Sequence, residues 1–518
     1  MAILIGIDIG TQGTKAAAFE ADGTLLASAF EPSRLMRPKP GVVEEDPARQ
    51  FSSVCRTIRS CVADGGIDPH AVTAIGIAGQ MAGVIGVGAD GRHVTPYDSW
   101  LDTRCGPFID RMLAKAGPLV VARTGGPPSL NHGPKKLWWR DERPADYRRI
   151  AAFVQPGGYA AMRLCGLKGN QAFIDHTYLH FSGFADTARG TWDDELCTLF
   201  RFDAGKLPRI VEPQSIVGEL TAASARACGL SAGVPVVAGC GDTAASLLAC
   251  GAVKPGVCVD VAGTASVFAA TTAAFVPDIQ RGMLSCARSA TPGLWHPYAY
   301  VNGGGINLEW FRSLAAGVGP RGGAARDPVD LSTLDRLAAA IPFTDDLPIF
   351  VPHLTGRNSP PQPALRGAWT GLTHEHGMAA LYRAVLEGVA FEYALYAAAI
   401  NELAPSASLR ELRVTGGGAA SGIWNAMKAD VLQLPVRPVQ QSQGAAAGAA
   451  IIAGWGMGVF PSPEAAARRW VSPGLPVRPR RTAAAVVNRR LARYQSLLHT
   501  LDPHATRPAR VAGEPEMT

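Results

Sequence analysis

The sequence predicts an α/β protein made of two related halves with a ligand cleft between them, and two similar hairpin patterns carry this prediction. In residues 3–19, an Ile-rich apolar run breaks at a glycine-rich turn before a second apolar run resumes at Ala16. This pattern is typical of a buried strand that leads into a β-hairpin. Residues 257–269 repeat the pattern, again with a Gly-Thr turn. Two related hairpins in one chain indicate a duplicated fold that holds a polyphosphate between its halves.

The first hairpin combines a carboxylate with a turn that suits an anion. Asp8 ends the first strand, where burial among isoleucines is costly unless the carboxylate meets a cation or a hydrogen-bond donor. The turn that follows offers glycine backbone, hydroxyl groups and a positive charge, supplied by Gly10, Thr11, Gln12, Thr14 and Lys15. A metal-bound polyphosphate would satisfy both features. An ordinary edge hairpin with a solvated Asp8 is the alternative that this stretch leaves open.

A second aspartate is predicted at the start of a helix. A buried strand pattern beginning at Val234 ends at Gly239-Cys240-Gly241, and Asp242 then begins an alanine-rich helix that runs through Ala252. The two glycines are expected to leave room for a substrate near the helix N-terminus. The alternative is that Asp242 only caps this helix.

Two further stretches offer groups for a polar substrate. A strand predicted at 72–77 leads into Gln80, Met81 and Ala82, and loops at the carboxyl ends of strands are where α/β folds bind ligands. In a later stretch, Trp100 offers a flat apolar wall, while Asp102 and Arg104 offer groups that bind hydroxyls. An aromatic core residue beside a surface ion pair is the alternative for this later stretch.

Glycine-rich turns in the second half let the backbone lie flat against a planar ligand or a phosphate. A run of three glycines alone is usually a flexible loop. The run at 416–418 lies between a predicted strand and a predicted helix, and this position favours ligand binding. The candidates in the second half are Gly263, Thr264, Gly304, Gly305, Gly416, Gly417, Gly418 and Asn425.

These motifs resemble those of the FGGY carbohydrate kinases, and in particular their xylulokinase-like branch. The resemblance extends from residue 3 to about residue 455. It implies a duplicated actin-like (ribonuclease H-like) ATPase fold, with two domains and an interdomain cleft. The implied divisions are 1–245 on the sugar side, 246–470 on the nucleotide side, and 471–518 as a linker, a terminal helix and a disordered tail.

The resemblance also implies a reaction, the ATP-dependent phosphorylation of a sugar hydroxyl. Asp242 is the implied general base, and Asp8 and Asp242 are the implied ligands of Mg²⁺, which needs only one or two carboxylates. A ketopentose such as D-xylulose is the expected acceptor. Xylulokinases usually have histidine where this chain has Ala82, so ribulose, erythritol, glycerol or a sugar acid stays open. An actin-like or Hsp70-like ATPase and a silent sugar sensor are less favoured alternatives.

Composition limits the remaining classes of function. The 518 residues are 47% hydrophobic and 18% charged, which predicts compact domains. The net charge of +6 is modest, and the arginine-rich C-terminal stretch lacks interleaved aromatics, so nucleic-acid binding is not expected. Ten cysteines without metal-binding spacing predict reduced thiols and a cytoplasmic protein. No apolar stretch reaches about 18 residues, so no membrane span is expected. A homodimer stays open.

Overall fold

The structure, a computed structural model, describes residues 2–317, 329–440 and 443–501. Its framework consists of two large mixed β-sheets with helices packed against them. All ten cysteines are free thiols, as the sequence predicts. Within the described ranges, no helix has both the length and the apolar character that crossing a bilayer requires. The tail predicted to be disordered, 502–518, lies outside the described residues.

The first sheet contains both strands of the N-terminal hairpin. Its strands are β1 (Ile3–Ile9), β2 (Gly13–Glu20), β3 (Leu25–Pro32), β4 (Val72–Gly79), β5 (Ile216–Glu219), β6 (Pro235–Val237) and β7 (Cys240–Gly241). They are arranged in the order β5-β6-β4-β1-β2-β3, and β7 also pairs with β4. Strands β1, β2 and β3 form an antiparallel meander, whereas β4 runs parallel to β1 and to β6.

The second sheet repeats this arrangement. Its strands are β8 (Val257–Ala262), β9 (Ser266–Ala270), β10 (Ser285–Arg288), β11 (Trp295–Val301), β12 (Glu411–Thr415) and β13 (Val436–Pro438). The order β11-β9-β8-β12-β13 has the same strand directions as β3-β2-β1-β4-β6, and β10 extends the edge beside β11. The predicted duplication is therefore confirmed, because the same topology is built twice.

The helices connect and cover these sheets. They are α1 (Pro47–Asp64), α2 (Gly106–Thr124), α3 (His132–Glu142), α4 (Pro144–Arg149), α5 (Pro156–Cys165), α6 (Asp194–Leu199), α7 (Ala222–Cys228), α8 (Asp242–Ala249), α9 (Gly305–Ala315), α10 (Leu331–Ala339), α11 (Met378–Leu403), α12 (Gly422–Leu432), α13 (Ala445–Gly456), α14 (Pro463–Trp470) and α15 (Ala484–Leu501). Short 3-10 turns occur at Gly169–Gln171, His176–Phe181, Ala204–Lys206, Pro405–Ala407, Gly417–Ala420 and Arg481–Ala483.

Short two-stranded pairs complete the regular structure. In the first half they are Glu44–Glu45 with Tyr97–Asp98, Ile85–Val87 with Ala152–Val154, Phe173–Asp175 with Arg209–Val211, and Ala185–Asp186 with Thr191–Trp192. In the second half they are Ile349–Val351 with Ala368–Thr370, and Arg357–Asn358 with Pro361–Gln362.

Strand β1 is buried on both of its faces, as its nearly continuous apolar sequence predicts. The isoleucines Ile5, Ile7 and Ile9 belong to a core cluster that also contains residues of α1. The opposite face carries Gly6 and packs against α13. An added Cβ at Gly6 would lie only 1.8 Å from the carbonyl oxygen of Ala446, so the two backbones are in direct contact.

Helix α13 comes from the second half of the chain but covers the first sheet. Gly76 of β4 approaches the carbonyl oxygen of Ala449 so closely that an added Cβ would lie 2.1 Å away. On the other side of the helix, a Cβ at Gly448 would lie 2.0 Å from the carbonyl oxygen of Ala245 in α8. The sequence placed this small-residue helix in the second domain, whereas the structure packs it between the first sheet and α8. The domain boundaries themselves stay predictions.

Replacing Gly6 by Ala is expected to destabilise the protein, because a methyl group at this position overlaps the backbone of α13. Relief of the overlap requires β1 or α13 to move, which typically costs about 1–3 kcal/mol. The measurement is the midpoint of thermal unfolding, which should fall. Gly106→Ala is the matched control, since an added Cβ there meets no atom within 4 Å. A Gly6→Ala protein as stable as this control would contradict the packing of α13 on β1.

Candidate active site

Three parallel strands of the first sheet have their carboxyl-terminal ends side by side, and this end of the sheet is called here its edge. Ile9 of β1 lies opposite Gly79 of β4, and Gly79 lies opposite Gly241 of β7. The polar residues beside these positions are therefore at the same edge, and they are Asp8, Gln80 and Asp242. The sequence singled out these residues in three separate motifs, and the sheet register brings the motifs together.

Gly239 allows the segment that leads into β7 to lie directly against β4. It has a φ of +74°, and an added Cβ would lie 1.8 Å from the carbonyl oxygen of Ile77 in β4. A side chain here would push β7 away from β4. Gly241 in turn lies against the side chain of Met81, which a Cβ would approach to 2.6 Å. Both glycines thus make room for protein atoms, and the expectation that they also leave room for a substrate stays a prediction.

The environment of Asp8 disfavours its negative charge. Its buried Oδ1 atom accepts no hydrogen bond from any residue that the structure describes. Burial raises the pKa of Asp8 to about 7, and the negative charge of Asp242 contributes in the same direction. Lys15, the cross-strand neighbour of Asp8 on β2, has the opposite effect. A cation bound beside Asp8 would offset both the lost hydration and the repulsion.

Asp242 is the first residue of α8, but it does not cap the helix. Gly241 occupies the N-cap position, and the structure shows no side-chain cap there. Oδ1 of Asp242 accepts hydrogen bonds from the N–H of Thr243 at 2.6 Å and from its hydroxyl at 3.2 Å. Burial raises the pKa of Asp242 to about 6, although these two hydrogen bonds lower it. The capping alternative is therefore disfavoured.

The charge of Asp242 acts both on Asp8 and on a residue of the second sheet. The charge of Asp242 is one of the causes that raise the pKa of Asp8. It also contributes to raising the pKa of Tyr298, which lies on β11, although burial is the larger cause. The hydroxyl of Tyr298 forms a hydrogen bond with Nε2 of His180, a residue of the first half, at 2.9 Å. Asp242 therefore lies close to where the halves meet.

Gln80 links the N-terminal hairpin to the neighbouring loops. Its backbone N–H donates to the carbonyl of Ile9 at 3.0 Å, which holds it beside β1. Its side-chain oxygen accepts from the hydroxyls of Thr11 at 3.3 Å and Tyr97 at 3.2 Å, and its amide group donates to Glu45 at 3.4 Å. Gln80 is only 1% exposed, so it supports the site from beneath.

The hairpin turn is connected to the predicted sugar segment through Thr11. Its hydroxyl donates to Gln80 and accepts a hydrogen bond from the indole N–H of Trp100 at 2.8 Å. Trp100 itself is 40% exposed, which leaves much of its ring open to a ligand. The sequence predicted that Thr11 contacts phosphate, whereas the structure uses its hydroxyl between the turn and Trp100.

Neighbouring residues on β2 point to opposite faces of the sheet. Lys15 pairs with Asp8 across the hairpin. Thr14 is 4% exposed and lines a small cavity with the α1 residues Arg49 and Gln50. The predicted phosphate contact therefore suits Lys15, Gly10 and the exposed turn residue Gln12 better than the Thr14 side chain.

A histidine that sequence analysis missed supports the loop after β4. Nε2 of His132, at the start of α3, donates to the carbonyl of Met81, and Nδ1 faces the amide of Gln155 at 3.5 Å. Burial holds the pKa of His132 well below its ordinary value, so the ring is neutral. Ala82 follows Met81 and is half-buried. His132 is 51 positions from Met81 in the chain, and no motif links the two.

Asp102 and Arg104 bind each other and the surrounding protein. Oδ2 of Asp102 accepts from the N–H of Val43 at 2.8 Å, and its Oδ1 accepts from the N–H of Arg104 at 3.0 Å. The guanidinium of Arg104 also contacts Glu44 at 2.7 Å and Asp98 at 2.8 Å. This saturated network favours a scaffold role for Asp102 and Arg104 over the predicted contact with substrate.

A cavity of about 570 Å³ opens in the second half, and it is called here the second-half cavity. Its apolar lining consists of the exposed Ile306 and the buried Leu308, Tyr382 and Trp424, and five of the predicted glycine-turn residues also line it. These five are Gly263, Thr264, Gly305, Gly417 and Gly418. Its size and its mixture of aromatic surface and exposed backbone suit a planar base with attached phosphates.

The other predicted glycines shape the turns around this cavity. Gly416 has a φ of +84°, and an added Cβ would lie 2.6 Å from the carbonyl of Ala262. A Cβ at Gly304 would lie 2.3 Å from the hydroxyl oxygen of Ser266. Asn425 donates to the carbonyl of Ala419 at 2.9 Å and thereby closes the turn. None of these three residues lines the second-half cavity.

No dedicated metal cage is present in the described part of the chain, where no group of three or more His, Cys, Asp or Glu side chains could hold an ion. Asp8 and Asp242 are the carboxylates at the edge of β1 and β7. Mg²⁺ is usually held by one or two carboxylates, with waters and phosphates as its other ligands. The unpartnered Oδ1 of Asp8 fits such an ion.

Comparisons with known proteins agree with this geometry. Residues 3–249 match the N-terminal domain of the FGGY family of carbohydrate kinases, and residues 258–457 match its C-terminal domain. Xylulose kinase of Escherichia coli is 30% identical over 82% of this chain and 84% of its own length. Glycerol kinase of Citrifermentans bemidjiense is 30% identical over 91% of this chain and 93% of its own. The crystal structure of xylulose kinase from Rhodospirillum rubrum superposes with a TM-score of 0.87 at 28% identity, covering 98% of this chain and 100% of that one.

Replacing Asp8 by Asn is expected to remove a pH-dependent destabilisation. The folded-state pKa of about 7 lies above the ordinary value of 3.8, so the native state loses stability as pH rises between these values. A shift of roughly three pKa units corresponds to at most about 4 kcal/mol. Thermal unfolding without ligands should show a larger gain for Asp8→Asn over the wild type at pH 8 than at pH 4. An equal difference at both values would contradict the raised pKa.

Proposed function

Since the chain belongs to the FGGY family of carbohydrate kinases, we propose that it transfers the γ-phosphoryl group of ATP to a hydroxyl of a ketopentose, with D-xylulose as the first candidate. The observation that carries the proposal is the register of β1, β4 and β7, which brings Asp8 and Asp242 to one edge. Kinases of this kind need a carboxylate beside the acceptor hydroxyl and a site for the charged phosphates.

Asp242 is assigned as the general base. Its raised pKa of about 6 leaves it mostly ionised at neutral pH, and it is a better proton acceptor than an ordinary aspartate. The hydrogen bonds from Thr243 fix Oδ1 and therefore orient the carboxylate. In this assignment Asp242 orients the acceptor hydroxyl and takes its proton as the phosphoryl group is transferred.

Asp8, with Asp242, is assigned as a ligand of Mg²⁺. When bound, the ion neutralises phosphate charge and helps to position the transferred group. Lys15 lies across the hairpin from Asp8 and adds a positive charge on the same face of the sheet. The exposed turn residues Gly10 and Gln12 can offer backbone groups to the phosphates.

ATP is assigned to the second-half cavity. The exposed Ile306 offers apolar surface for the base, with the buried Tyr382 and Trp424 in the wall, and the turns at 263–264 and 417–418 expose backbone to ribose or phosphate. The turn at Gly263 is held by the start of α9, because the N–H of Gly305 donates to the carbonyl of Gly263 at 2.9 Å. This bond preorganises the turn before a nucleotide enters.

The acceptor is assigned to the first half, beside Trp100, Met81 and Ala82. Trp100 is partly exposed and can face the C–H groups of a sugar. Xylulokinases usually have histidine at the position of Ala82, so the smaller side chain removes a donor and opens space. Relatives include glycerol kinases as well as xylulose kinases, and a polyol is therefore the second candidate acceptor. A cytoplasmic location and a homodimer also stay predictions.

Replacing Asp242 by Asn is expected to abolish phosphoryl transfer, because the amide cannot accept the acceptor proton. The rate should fall by about 10²–10⁴-fold, whereas ADP should still bind in the second-half cavity. ADP release and ADP titration measure the two effects. Asp64→Asn, an exposed change at the end of α1, is the control. Near-normal transfer by Asp242→Asn would refute the assignment.

An ADP-release screen across pentuloses, polyols and sugar acids tests the acceptor class. Release that depends on D-xylulose and is strongest with it supports the proposal. A stronger response to glycerol or erythritol would replace the ketopentose by a polyol. Release that no sugar or polyol stimulates would indicate an ATPase and overturn the kinase proposal.

Replacing Ala82 by His is expected to change acceptor binding alone. One added hydrogen bond should lower the KM for D-xylulose by about 5–10-fold and leave the KM for ATP unchanged, because ATP is assigned to the other half. Steady-state kinetics with each substrate varied measures both values. Ala63→His, on an exposed part of α1, is the control. A change in the KM for ATP without one for the acceptor would contradict the placement of Ala82.

A further inference from the structure

We propose that a groove at the ends of α10 and α12 is a second ligand site, which binds a small organic anion with an apolar body and a carboxylate or phosphate group. The groove has a volume of about 430 Å³ and is called here the arginine groove. Its lining includes Ile341, Phe343, Arg383, Ala426, Met427 and Arg480. Its two arginines are the charged residues of this lining.

Arg383 is a buried cation with incomplete partners. It is 5% exposed, and its Nε atom has no hydrogen-bond partner among the described residues. One terminal nitrogen donates to the carbonyls of Ala338 at 3.0 Å and Ile341 at 3.4 Å, at the end of α10. These carbonyls offset part of the charge. No ion pair within the described ranges includes Arg383, although a buried charge is stable only when it is compensated.

The neighbouring arginines already have carboxylate partners. Arg480 contacts Asp430 at 2.6 Å, and Arg490 forms an ion pair with Glu387. The guanidinium groups of Arg383, Arg480 and Arg490 lie 5.3, 6.0 and 5.9 Å from the ring centre of Phe343. Three positive charges therefore converge on one ring, and the ion pairs with Asp430 and Glu387 belong to Arg480 and Arg490 and not to Arg383.

The positive charges at this position also affect each other. Burial lowers the pKa of Arg383, the nearby carboxylates of Glu387 and Asp430 raise it, and the charges of Arg480 and Arg490 lower it further. An anion placed in the groove would reduce this repulsion. Arginine suits carboxylates and phosphates because its planar guanidinium can donate two parallel hydrogen bonds.

The rest of the lining indicates that the anion has an apolar part. Ile341, Pro342, Ile423 and Met427 offer hydrocarbon surface beside the Phe343 ring. Inorganic phosphate would leave this surface exposed to water, whereas an aromatic or aliphatic body would cover it. The chemical class is therefore a carboxylate or phosphate monoester on a hydrocarbon or aromatic body.

The arginine groove is distinct from the second-half cavity. Both are lined by parts of α10, α11 and α12, but they share no lining residue. Tyr382 and Trp424 line the second-half cavity, whereas their chain neighbours Arg383 and Ile423 line the arginine groove. A ligand in the groove would therefore contact different sides of the helices that surround the proposed nucleotide site.

The test is a calorimetric titration of the full-length protein with phenyl phosphate, run without ADP and with saturating ADP, with benzyl alcohol as the uncharged comparison. We expect phenyl phosphate to bind and benzyl alcohol to bind at least about tenfold more weakly. Arg383→Gln should weaken the binding of phenyl phosphate by at least about tenfold, whereas Arg148→Gln, an exposed change on α4, should leave it unchanged.

A second variant keeps the test valid if Arg383→Gln fails to fold. Ala426→Phe fills the groove from α12 and should also abolish phenyl phosphate binding, whereas Ala63→Phe on the exposed part of α1 should leave it unchanged. Absence of binding to the wild type would overturn the proposal. Binding that ADP abolishes, or that persists in Ala426→Phe, would place the ligand elsewhere and would also overturn it, without affecting the kinase assignment.

Discussion

The close contact of backbone with backbone around α13 is the constraint on which the rest of the site depends. Gly6, Gly76 and Gly448 let this helix lie directly against β1, β4 and α8, where a single methyl group would overlap a carbonyl oxygen. Interiors packed at this density transmit small displacements instead of absorbing them. Because β1 and α8 carry Asp8 and Asp242, the spacing of the two carboxylates is set by residues that have almost no side chain.

The charged forms of Asp8 and Asp242 destabilise the folded protein when no ligand is bound. Burial raises the pKa of both Asp8 and Asp242, and the charge of Asp242 raises that of Asp8 further. The raised pKa of each residue corresponds to a free-energy penalty for its charged form in the native state. In the proposed roles, a bound cation and an acceptor hydroxyl would relieve this penalty. Asp102, by contrast, accepts hydrogen bonds from the backbone N–H groups of Val43 and Arg104 and forms an ion pair with the Arg104 guanidinium.

The two substrate sides of the first half are not independent. Trp100 donates to Thr11, and Thr11 donates to Gln80, so the proposed acceptor wall and the hairpin turn share one hydroxyl group. Gln80 continues this chain of hydrogen bonds to Tyr97 and Glu45. In the proposed assignment, a sugar that moves Trp100 would also shift the hairpin turn proposed to bind the phosphates. These hydrogen bonds would then let acceptor binding adjust that turn.

The sequence by itself determined the duplicated hairpins, the two aspartates and the family, because strand periodicity and glycine turns are local properties of neighbouring residues. Only the tertiary structure decided that α13 covers the first sheet, that His132 supports Met81, and that Thr14 faces α1. It also decided that the network around Asp102 is closed by protein. These features depend on contacts between residues far apart in the chain, and such contacts are selected by packing and burial after the local elements have formed.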